Sequence, residues 1–405
     1  MRRVVITGIG AVSSIGIGVK PFTEALRSGV SGVSEIQSFD TTGFATSKGC
    51  EVRGFDPGDW IRKVPPTLLG RSAQFAVAAA RMAVEDARID PEQLSGSRCG
   101  VSIGTTDGES QVIDRLTEQA VRSGYPSIDF ELVRQVPSHR LSFSIAHELS
   151  LRGGAVTIPT ACSAGNYAIG YAYDSIVLGD TDFMLCGGAD SICRKTFAGF
   201  YRLGTIAPEV CQPFDAHRKG ILTGEGSGVL LLESLDSALA RGAFIYAEVL
   251  GYGVNCDADH MVAPNRASIA RCMQIAHRNA GVKPQDIDYV CAHGTGTVAN
   301  DVTEAGAIHE VFKGTMPPVS SIKSMIGHTM GAASALASIA CAVAIKEGFI
   351  PPTINHQETD PGCNVDCVPN RSRTAHLRVV QNNGFAFGGN NAITIYSRYD
   401  EGAQS

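Results

Sequence analysis

The sequence predicts an α/β protein in which buried strands alternate with helices. Short apolar runs bounded by glycine or aspartate recur along the chain and are typical of strands buried on both faces. Longer alanine-rich segments with helical periodicity lie between them. No proline- or serine-rich linker and no run of charge divides the 405 residues, so we expect one compact unit with largely parallel sheets.

The predicted strands are rich in β-branched and small apolar residues, which suit a pleated, buried surface. The chain starts with basic residues followed by the apolar run VVIT, and a secretory signal peptide also begins with a basic segment before an apolar one. The run in this chain is β-branched and soon broken by Gly8 and Gly10, so we interpret it as a buried strand entering a turn. In chain order the predicted strands are Arg3–Thr7, Gly100–Ile103, Ala155–Ile158, Phe183–Gly187, Gly228–Leu232, Ile287–Cys291 and Ala392–Tyr396.

The predicted helices are alanine-rich segments between these strands: Gln74–Ala87, Ala164–Leu178, Ala267–Ala280 and Gly331–Lys346. Their small side chains favour close packing of helices on a sheet. We expect two intimately packed halves that meet near residues 241–248, and we place the boundary between residues 245 and 246.

Composition excludes several classes of function. A formal net charge of −6 argues against a general nucleic-acid binder, which needs a basic surface. The twelve cysteines are scattered through apolar runs, as in a protein of the reducing cytoplasm, and Cys363 and Cys367 lack the partners of a zinc site. Uninterrupted apolar stretches are too short for a membrane span. We therefore expect a soluble cytoplasmic protein without a metal.

The first turn offers an alternative, because a strand followed by Gly-x-Gly can open a dinucleotide-binding fold. Here Gly8 and Gly10 are followed by Ala11-Val12-Ser13, so the third glycine is missing. No acidic residue ends a second strand about 20 residues later, where the ribose contact belongs. A nicotinamide-dependent oxidoreductase is therefore a weak alternative.

The strongest chemical signal is Cys162 in the segment TACSAG, between the strand AVTIP and a helix of small residues. A thiol at a helix N-terminus faces unpaired N–H groups, which predicts a lowered pKa and an available thiolate. The alternative is one more buried core thiol among twelve cysteines. His293 in CAHGTGT and His328 in SMIGHTMG favour a nucleophile paired with bases, because each lies in a glycine-rich turn.

These segments carry a family resemblance. TACSAGNYAIGYA, CAHGTGT, SSIKSMIGHTMGAA and NNGFAFGGNNA, in this order, resemble the four signature blocks of β-ketoacyl-acyl-carrier-protein synthases. The segments VVITGIGAVSSIG and FDAHRKGILTGEGSGVLLLE are also similar, so the likeness extends from Val4 to Tyr396. It is greatest to the elongating, decarboxylating type with two active-site histidines. The resemblance implies a thiolase-like, five-layered α-β-α-β-α fold of two similar halves.

The resemblance also implies a division of roles. Residues 1–245 would carry the nucleophile Cys162, and residues 246–405 would carry His293, His328 and the gating loop. Cys162 would hold the acyl chain as a thioester, and the two histidines would donate hydrogen bonds to the enolate that forms when a malonyl group loses its carboxylate. The backbone N–H groups of Cys162 and Phe387 would hold the oxyanion. Phe387 would gate the acyl pocket, and Phe385 would be a packing residue.

Further residues match supporting positions of the family. Lys323 corresponds to a buried lysine that adds positive charge near the histidines. Asp301 and Glu304 correspond to acidic residues that bind this lysine and order the loops. Thr295 and Thr297 correspond to hydroxyls that bind the phosphopantetheine arm, although threonine beside glycine also simply caps a bend.

The implied partner is an acyl carrier protein, loaded with an acyl or a malonyl group, and its phosphopantetheine replaces any resident cofactor. Arg62, Lys63 and Arg71 are candidates for a basic docking patch, or else an ordinary solvated surface. The family forms dimers, and we expect a homodimer or a heterodimer with a chain-length-factor-like subunit.

The sequence departs from the family pattern at several positions. Ala337 stands where the family often has a glutamate that supports the lysine and histidine network. Ala386 and Asn390 alter the gating turn, and Ala263 replaces a serine. The segment Gly104–Ser110 is unusually polar and is expected near the acyl pocket or dimer seam. These differences favour a type II polyketide or polyene system over fatty-acid synthesis.

Two further alternatives remain beside the condensing enzyme. A condensing-fold acyltransferase or decarboxylase would acylate Cys162 but form no longer product, and Ala337 motivates this alternative. A non-catalytic chain-length partner would only shape the pocket of another subunit, but the joint presence of Cys162, His293, His328 and Lys323 argues against it.

Overall fold

The fold was analysed in a computed structural model that describes residues 2–314 and 316–400. The strands are β1 Val4–Ser13, β2 Gly16–Ile17, β3 Ser34–Glu35, β4 Lys48–Gly49, β5 Cys99–Gly104, β6 Ala155–Ile158, β7 Phe183–Asp190, β8 Gly226–Ser234, β9 Ala247–Cys256, β10 Tyr289–Cys291, β11 Val319–Ser320, β12 Phe349–Ile350, β13 Arg373–Thr374, β14 Val379–Phe385 and β15 Asn390–Ser397. The helices are α1 Val19–Ser28, α2 Arg71–Asp86, α3 Pro91–Gly96, α4 Ser110–Ser123, α5 Phe130–Val133, α6 Arg140–Leu149, α7 Ala164–Val177, α8 Arg194–Arg202, α9 Leu235–Ala240, α10 Arg266–Ala280, α11 Val298–Phe312, α12 Lys323–Ile326 and α13 Ala333–Glu347.

The main sheet consists of two half-sheets with the same pairing pattern. The first half-sheet has the order β1-β8-β7-β5-β6, and the second has the order β9-β15-β14-β10-β11. In each, the first two pairings are antiparallel and the last two are parallel. The half-sheets join where Val4–Ile6 of β1 pair antiparallel with Ala247–Val249 of β9. The chain thus repeats one strand arrangement.

Helices complete five layers. α2 and α6 cover the outer face of the first half-sheet, and α10, with α11 beside it, covers the outer face of the second. α7 and α13 lie between the half-sheets and contact both. Because α13 is buried along nearly its whole length, it carries apolar or small residues on every side, as a central helix must. This is the α-β-α-β-α thiolase-like fold expected from the sequence.

The predicted strands and helices all lie within observed elements, with ends that differ by a few residues. The prediction of largely parallel sheets is wrong, because β1, β8 and β7 run antiparallel in the first half-sheet and β9, β15 and β14 do so in the second. A strand that is buried on both faces has the same continuous apolar pattern in either direction, so the sequence carries no signal for this difference.

The glycines of the first strand serve packing. β1 is buried throughout and lies against α2. A Cβ atom on Gly8 would lie 2.1 Å from the carbonyl oxygen of Ala83, and one on Gly10 would lie 2.0 Å from that of Ala79. The Gly-x-Gly pattern therefore permits close contact between a strand and a helix, which removes its support for a dinucleotide site.

The described residues include one stretch, Met330–Glu347, that is long and apolar enough to cross a membrane by length and composition. Of this stretch, 89% is buried inside the protein, where it forms α13 and the turn before it. Its apolar character is therefore explained by its place between the two half-sheets.

Candidate active site

Cys162 lies at the junction between β6 and α7. A short 3-10 turn, Ala161–Ser163, connects the strand to the helix, and the thiol is 6% exposed. Ala161 has a φ of 51°, in the left-handed region that residues with a Cβ rarely occupy. Such strain directly before a buried thiol indicates that the fold holds Cys162 at one particular orientation.

The protonation of Cys162 differs from the sequence-based prediction. Burial raises the pKa of the Cys162 thiol to about 12, although the positive charge of Lys323 acts to lower it. The prediction of a lowered pKa is wrong for this residue, because the loss of hydration outweighs the favourable charge nearby. The sulfur is therefore a thiol in the resting protein, and its proton leaves as it reacts.

His293 lies two residues after β10, in a loop whose backbone is held by carboxylates. The His293 N–H donates to Glu304 Oε1 at 2.8 Å, and the Gly294 N–H donates to Glu304 Oε2 at 2.8 Å. Asp301 Oδ1 accepts from the N–H groups of Thr295 and Gly296, at 3.1 and 3.2 Å. Both carboxylates come from the start of α11, so the loop and the helix form one rigid unit.

Lys323, the first residue of α12, is buried behind His293. Its Nζ donates to the carbonyl oxygen of His293 at 2.6 Å. Among the described residues no ion pair joins Lys323 to Asp301 or Glu304. The expectation that these acids bind the lysine by direct contact is therefore wrong. Glu304 acts on Lys323 through space, and burial lowers the pKa of the Lys323 ammonium.

His328 follows α12 in a turn that fixes its ring. The Met330 N–H donates to His328 Nδ1 at 3.1 Å, which leaves the proton of the neutral ring on Nε2. The His328 N–H donates to the Leu222 carbonyl at 2.7 Å, and the His328 carbonyl accepts from the Gly224 N–H at 2.9 Å. Ring and backbone are thus both held, as a hydrogen-bond donor at a reacting atom requires.

Both histidines are neutral near physiological pH. Burial and the charge of Lys323 hold the pKa of His293 and of His328 well below the usual value. Their ring centroids are 5.5 Å apart with planes at 84°, so the edge of one ring faces the plane of the other in a T-shaped contact. Neutral rings donate through one nitrogen each, which suits stabilisation of negative charge without transfer of a full proton.

A cavity of about 110 Å³ joins these groups. Cys162, His293 and His328 line it together with Thr295 and Thr297, and its walls also contain Phe200, Phe385, Phe387, Met261 and Ala263. The lining is chiefly apolar around a few convergent polar groups, as in pockets that bind small molecules.

Aromatic residues close one side of this cavity. Phe387 lies in the turn between β14 and β15, and its ring centroid is 5.5 Å from that of Phe200 in α8. Phe200 also lies 6.5 Å from the His328 ring, while Phe385 lies 5.6 Å from His293. Phe385 thus packs against a histidine, whereas Phe387 lies on the cavity wall opposite α8.

Thr295 and Thr297 lie on the same cavity wall. Their hydroxyls are 2.9 Å apart, and Thr297 caps α11 by accepting from the Asn300 N–H. The capping alternative therefore holds for Thr297, but capping uses only part of the bonding capacity of each hydroxyl. Both remain placed to bind a polar arm that enters the cavity.

Sequence reasoning missed Phe200 altogether. The residue belongs to no signature segment, and the sequence RKTFAGFYR indicates only an amphipathic helix. Only the tertiary structure brings α8 to the cavity. A further missed residue is Asn383, whose Nδ2 donates to Glu304 Oε1 at 2.9 Å and completes the support of the His293 loop.

The residues that depart from the family pattern fall into two groups. Ala337 is buried in the apolar cluster around α13, whereas Glu304 supplies the carboxylate that holds the His293 loop. Ala386 and Ala263 line the cavity, so they shape its wall directly, and Asn390 begins β15 beyond the gating turn.

The candidate docking patch is only partly available. Arg71 pairs with the buried Glu225 at 2.6 Å and also bonds the Val52 carbonyl, so it supports the fold. Lys63 contacts the His147 carbonyl and Ser150, and Arg62 is exposed. Arg71 is therefore no longer a candidate for the docking patch.

Among the described residues no group of three or more metal-binding side chains is present.

Comparison with known proteins agrees with this geometry. Residues 1–238 match the family model for the β-ketoacyl synthase N-terminal domain, and residues 246–357 match that for the C-terminal domain. The chain is 35% identical to 3-oxoacyl-acyl-carrier-protein synthase 2 of Staphylococcus aureus (strain COL), across 98% of this chain and 99% of that protein.

Two solved structures are similar over nearly the whole chain. One, described as the ishigamide ketosynthase/chain length factor, has a TM-score of 0.97 and 55% identity, covering 98% of this chain and 100% of that chain. Another is a type II PKS acyl-carrier protein in complex with its ketosynthase bound to the hexaketide; it has a TM-score of 0.91 and 31% identity, with the same coverage. The chain belongs to the β-ketoacyl synthase family, and it is therefore an acyltransferase.

Proposed function

We propose that this chain is a catalytic, elongating ketosynthase that holds its acyl chain on Cys162 and extends it with a malonyl group from an acyl carrier protein. One observation carries the proposal: Cys162, His293 and His328, from distant parts of the sequence, line a single cavity. The two rings make a T-shaped contact, and their low pKa values keep them neutral.

The first step is acyl transfer to the enzyme. Cys162 Sγ attacks the carbonyl carbon of an acyl-carrier thioester, a new C–S bond forms, and the bond to the carrier sulfur breaks. The thiol proton leaves with the carrier sulfur, which suits a thiol that is not ionised at rest. Backbone N–H groups of Cys162 and Phe387 hold the oxyanion of the tetrahedral intermediate.

The second step forms the carbon–carbon bond. The malonyl thioester loses its carboxylate as carbon dioxide, and the electron pair of the broken C–C bond moves into an enolate. His293 and His328 donate hydrogen bonds to the enolate oxygen. The enolate carbon then attacks the acyl carbonyl on Cys162, and collapse of this intermediate expels the sulfur, which takes up one proton and returns to the thiol.

Several features support elongation over acyl transfer alone. Lys323 is buried against the His293 carbonyl, and Glu304 and Asp301 hold the backbone of the same loop. These contacts hold in place the part of the site that decarboxylation would use. Ala337 lies in the apolar cluster around α13, and the carboxylate that holds the His293 loop comes from Glu304. A non-catalytic subunit would have no use for these buried charges.

Thr295 and Thr297 bind the phosphopantetheine arm in this proposal, because both residues line the cavity that the arm must enter and their hydroxyls lie 2.9 Å apart. The arm arrives on the carrier protein, so the reaction uses no resident cofactor or metal. Arg62 and Lys63 contribute to docking of the acidic carrier protein, since charge complementarity steers such encounters.

The working enzyme is a dimer, either of two copies or with a chain-length-factor-like subunit, in a type II polyketide or polyene system of the cytoplasm. The open edge of β6 and the likeness to a ketosynthase/chain length factor structure support this proposal. The halves divide between residues 245 and 246, directly before β9 begins the second half-sheet.

Intact-mass spectrometry tests the proposal. Wild-type protein mixed with acyl-carrier proteins of several chain lengths should gain one acyl adduct, and Cys162→Ala should gain none. Added malonyl-carrier protein should remove the adduct and give a β-ketoacyl carrier product longer by two carbons. An adduct that persists would establish an acyltransferase instead, and an adduct on Cys162→Ala would overturn the assigned nucleophile.

A further inference from the structure

Asp190 is a fully buried carboxylate at the end of β7, outside the groups used above. Its Oδ1 accepts from the Thr105 hydroxyl at 2.7 Å and the Asp107 N–H at 3.4 Å. Its Oδ2 accepts from the Thr106 N–H at 2.8 Å and the Gly331 N–H at 2.6 Å. A buried charge is costly unless it is hydrogen-bonded, so this set of bonds must hold the surrounding segments firmly together.

The bond to Gly331 connects Asp190 to His328. Gly331 follows Met330, whose N–H donates to His328 Nδ1. Met330 has a φ of 53°, so this short turn is strained and needs support from its surroundings. On its other side the turn lies against Thr105, because a Cβ on Gly331 would come 2.5 Å from the Thr105 backbone.

The same carboxylate accounts for the polar segment Gly104–Ser110. Thr105, Thr106 and Asp107 all donate to Asp190, and Glu109 accepts from the N–H groups of Ser72 and Ala73 at the start of α2. The polarity of this segment therefore arises from internal hydrogen bonds. Asp190 lies between this segment and the turn after His328.

We propose that Asp190 is a positioning residue that holds the Met330–Ala332 turn in place, so that the Met330 N–H fixes His328 as the tautomer with its proton on Nε2. The inference rests on the proposed function, because it assigns His328 the role of enolate donor. Asp190 is separate from the residues that line the cavity, and its contact with the His328 ring passes through Gly331 and Met330.

Carboxamide chemistry provides a conservative variant. In Asp190→Asn the amide oxygen can still accept from the N–H groups of Thr106 and Gly331, and the amide nitrogen can donate to the Thr105 hydroxyl, which rotates to accept. Only the long contact with the Asp107 N–H, at 3.4 Å, is lost. Asp190→Ala removes every one of these bonds. Asp190→Asn therefore removes the charge and keeps the contact with the turn, whereas Asp190→Ala removes both.

The two half-reactions provide a readout specific to His328. Acylation of Cys162 is followed by intact mass, and decarboxylation is followed by release of carbon dioxide from malonyl-carrier protein. We expect Asp190→Ala to slow decarboxylation by about 10- to 100-fold, the effect of a misplaced catalytic group, and to change acylation by less than about threefold. Asp190→Asn should recover most of the lost rate. Glu233→Gln, at another buried carboxylate on β8, is the control.

A spectroscopic measurement is independent of activity. In protein labelled with ¹⁵N-histidine, His328→Gln identifies the His328 ring signals, and their nitrogen shifts report the tautomer. Wild type should show the proton on Nε2, and Asp190→Ala should show mixed tautomers while thermal unfolding remains cooperative. An unchanged tautomer, or an equal loss of both half-reactions, would overturn the inference. A wild type that forms no acyl adduct but shows the fixed tautomer would overturn only the proposed function.

Discussion

At the scale of single residues, burial decides the protonation of the site. The same loss of hydration keeps Cys162 protonated and both histidines neutral, and Lys323 is the charge that acts on all three. Its ammonium lowers the thiol pKa and the histidine pKa values alike. One buried cation thus favours the thiolate while it keeps the donors uncharged.

Lys323→Met should therefore make the thiol less reactive. Methionine keeps much of the volume but removes the charge that opposes the burial of Cys162, so the thiol pKa rises further, and each unit costs tenfold in thiolate. We expect the rate of iodoacetamide alkylation of Cys162 at pH 8.5, read from its peptide by mass spectrometry, to fall by about tenfold. The exposed Lys313 offers a control, and equal rates in Lys323→Met and Lys313→Met would contradict the argument.

Phe200 should limit the size of the acyl group. Its ring fills the space between His328 and Phe387, so Phe200→Ala removes a wall of a small cavity. We expect the variant to accept longer or bulkier acyl-carrier substrates, with at least about a fivefold shift in their kcat/KM relative to short ones, since about 1 kcal/mol of packing changes at such a wall. Tyr201→Phe, at a neighbouring position that does not line the cavity, should keep the wild-type preference. An unchanged preference in Phe200→Ala would exclude this role.

At the scale of secondary-structure elements, the position of Cys162, the proposed nucleophile, depends on how closely α7 and α13 pack. A Cβ on Gly165, in the first turn of α7, would lie 2.6 Å from the backbone nitrogen of Ala335 in α13. Gly165→Ala should force the helices apart beside Cys162, destabilise the fold by about 1–3 kcal/mol and lower the acylation rate.

Gly199→Ala is the matched control, because a Cβ on this glycine of α8 meets no atom within 4 Å. The same exchange there should be neutral or stabilise the fold by up to about 1 kcal/mol. Urea unfolding and the rate of acyl adduct formation measure both variants. Equal effects at the two positions would show that helix packing at Gly165 carries no special cost.

Glu109 links the start of α2 to the pH dependence of stability. Burial raises the pKa of Glu109 to about 7, so between about pH 4.5 and 7 the folded state binds more protons than the unfolded state. The free energy of unfolding should therefore fall as the pH rises through this range. Glu109→Gln removes this titration and should give a shallower slope in urea unfolding at pH 5, 6 and 7. A slope equal to that of wild type would contradict the assignment.

At the scale of the whole molecule, the sequence predicted the elements well but not their directions. The runs around β5, β6, β7 and β8 were recognisable because each is apolar and short, and Cys162 was placed correctly after β6. Strand direction was not predictable, since burial on both faces erases the difference. The resemblance supplied the five layers, which the pattern of strands and helices alone does not specify.

Some residues of the candidate site could be predicted from the sequence, and others could not. His293 and His328 lie in glycine-rich turns and Cys162 lies at a junction between a strand and a helix, so recognisable motifs in the sequence indicated all three. Phe200 and Asp190 have no local signal, because their roles depend on contacts between distant segments. The pKa of Cys162 was misjudged for a related reason: the helix start was visible in the sequence, whereas the depth of burial was not.

The open edge of β6 bears on assembly, because within the described part of the chain β6 pairs with β5 alone, and it directly precedes Cys162. Phe143 belongs to α6, the helix that packs on β5 and β6, and is 46% exposed. If a second subunit covers the edge, Phe143→Glu places a charge in an apolar contact and should weaken association by about 10- to 100-fold. Light scattering after size exclusion measures the mass of this variant beside that of Leu239→Glu, an exposed apolar position on α9. A dimer that persists in Phe143→Glu and dissociates in Leu239→Glu would place the contact at α9, away from the strand that leads to Cys162.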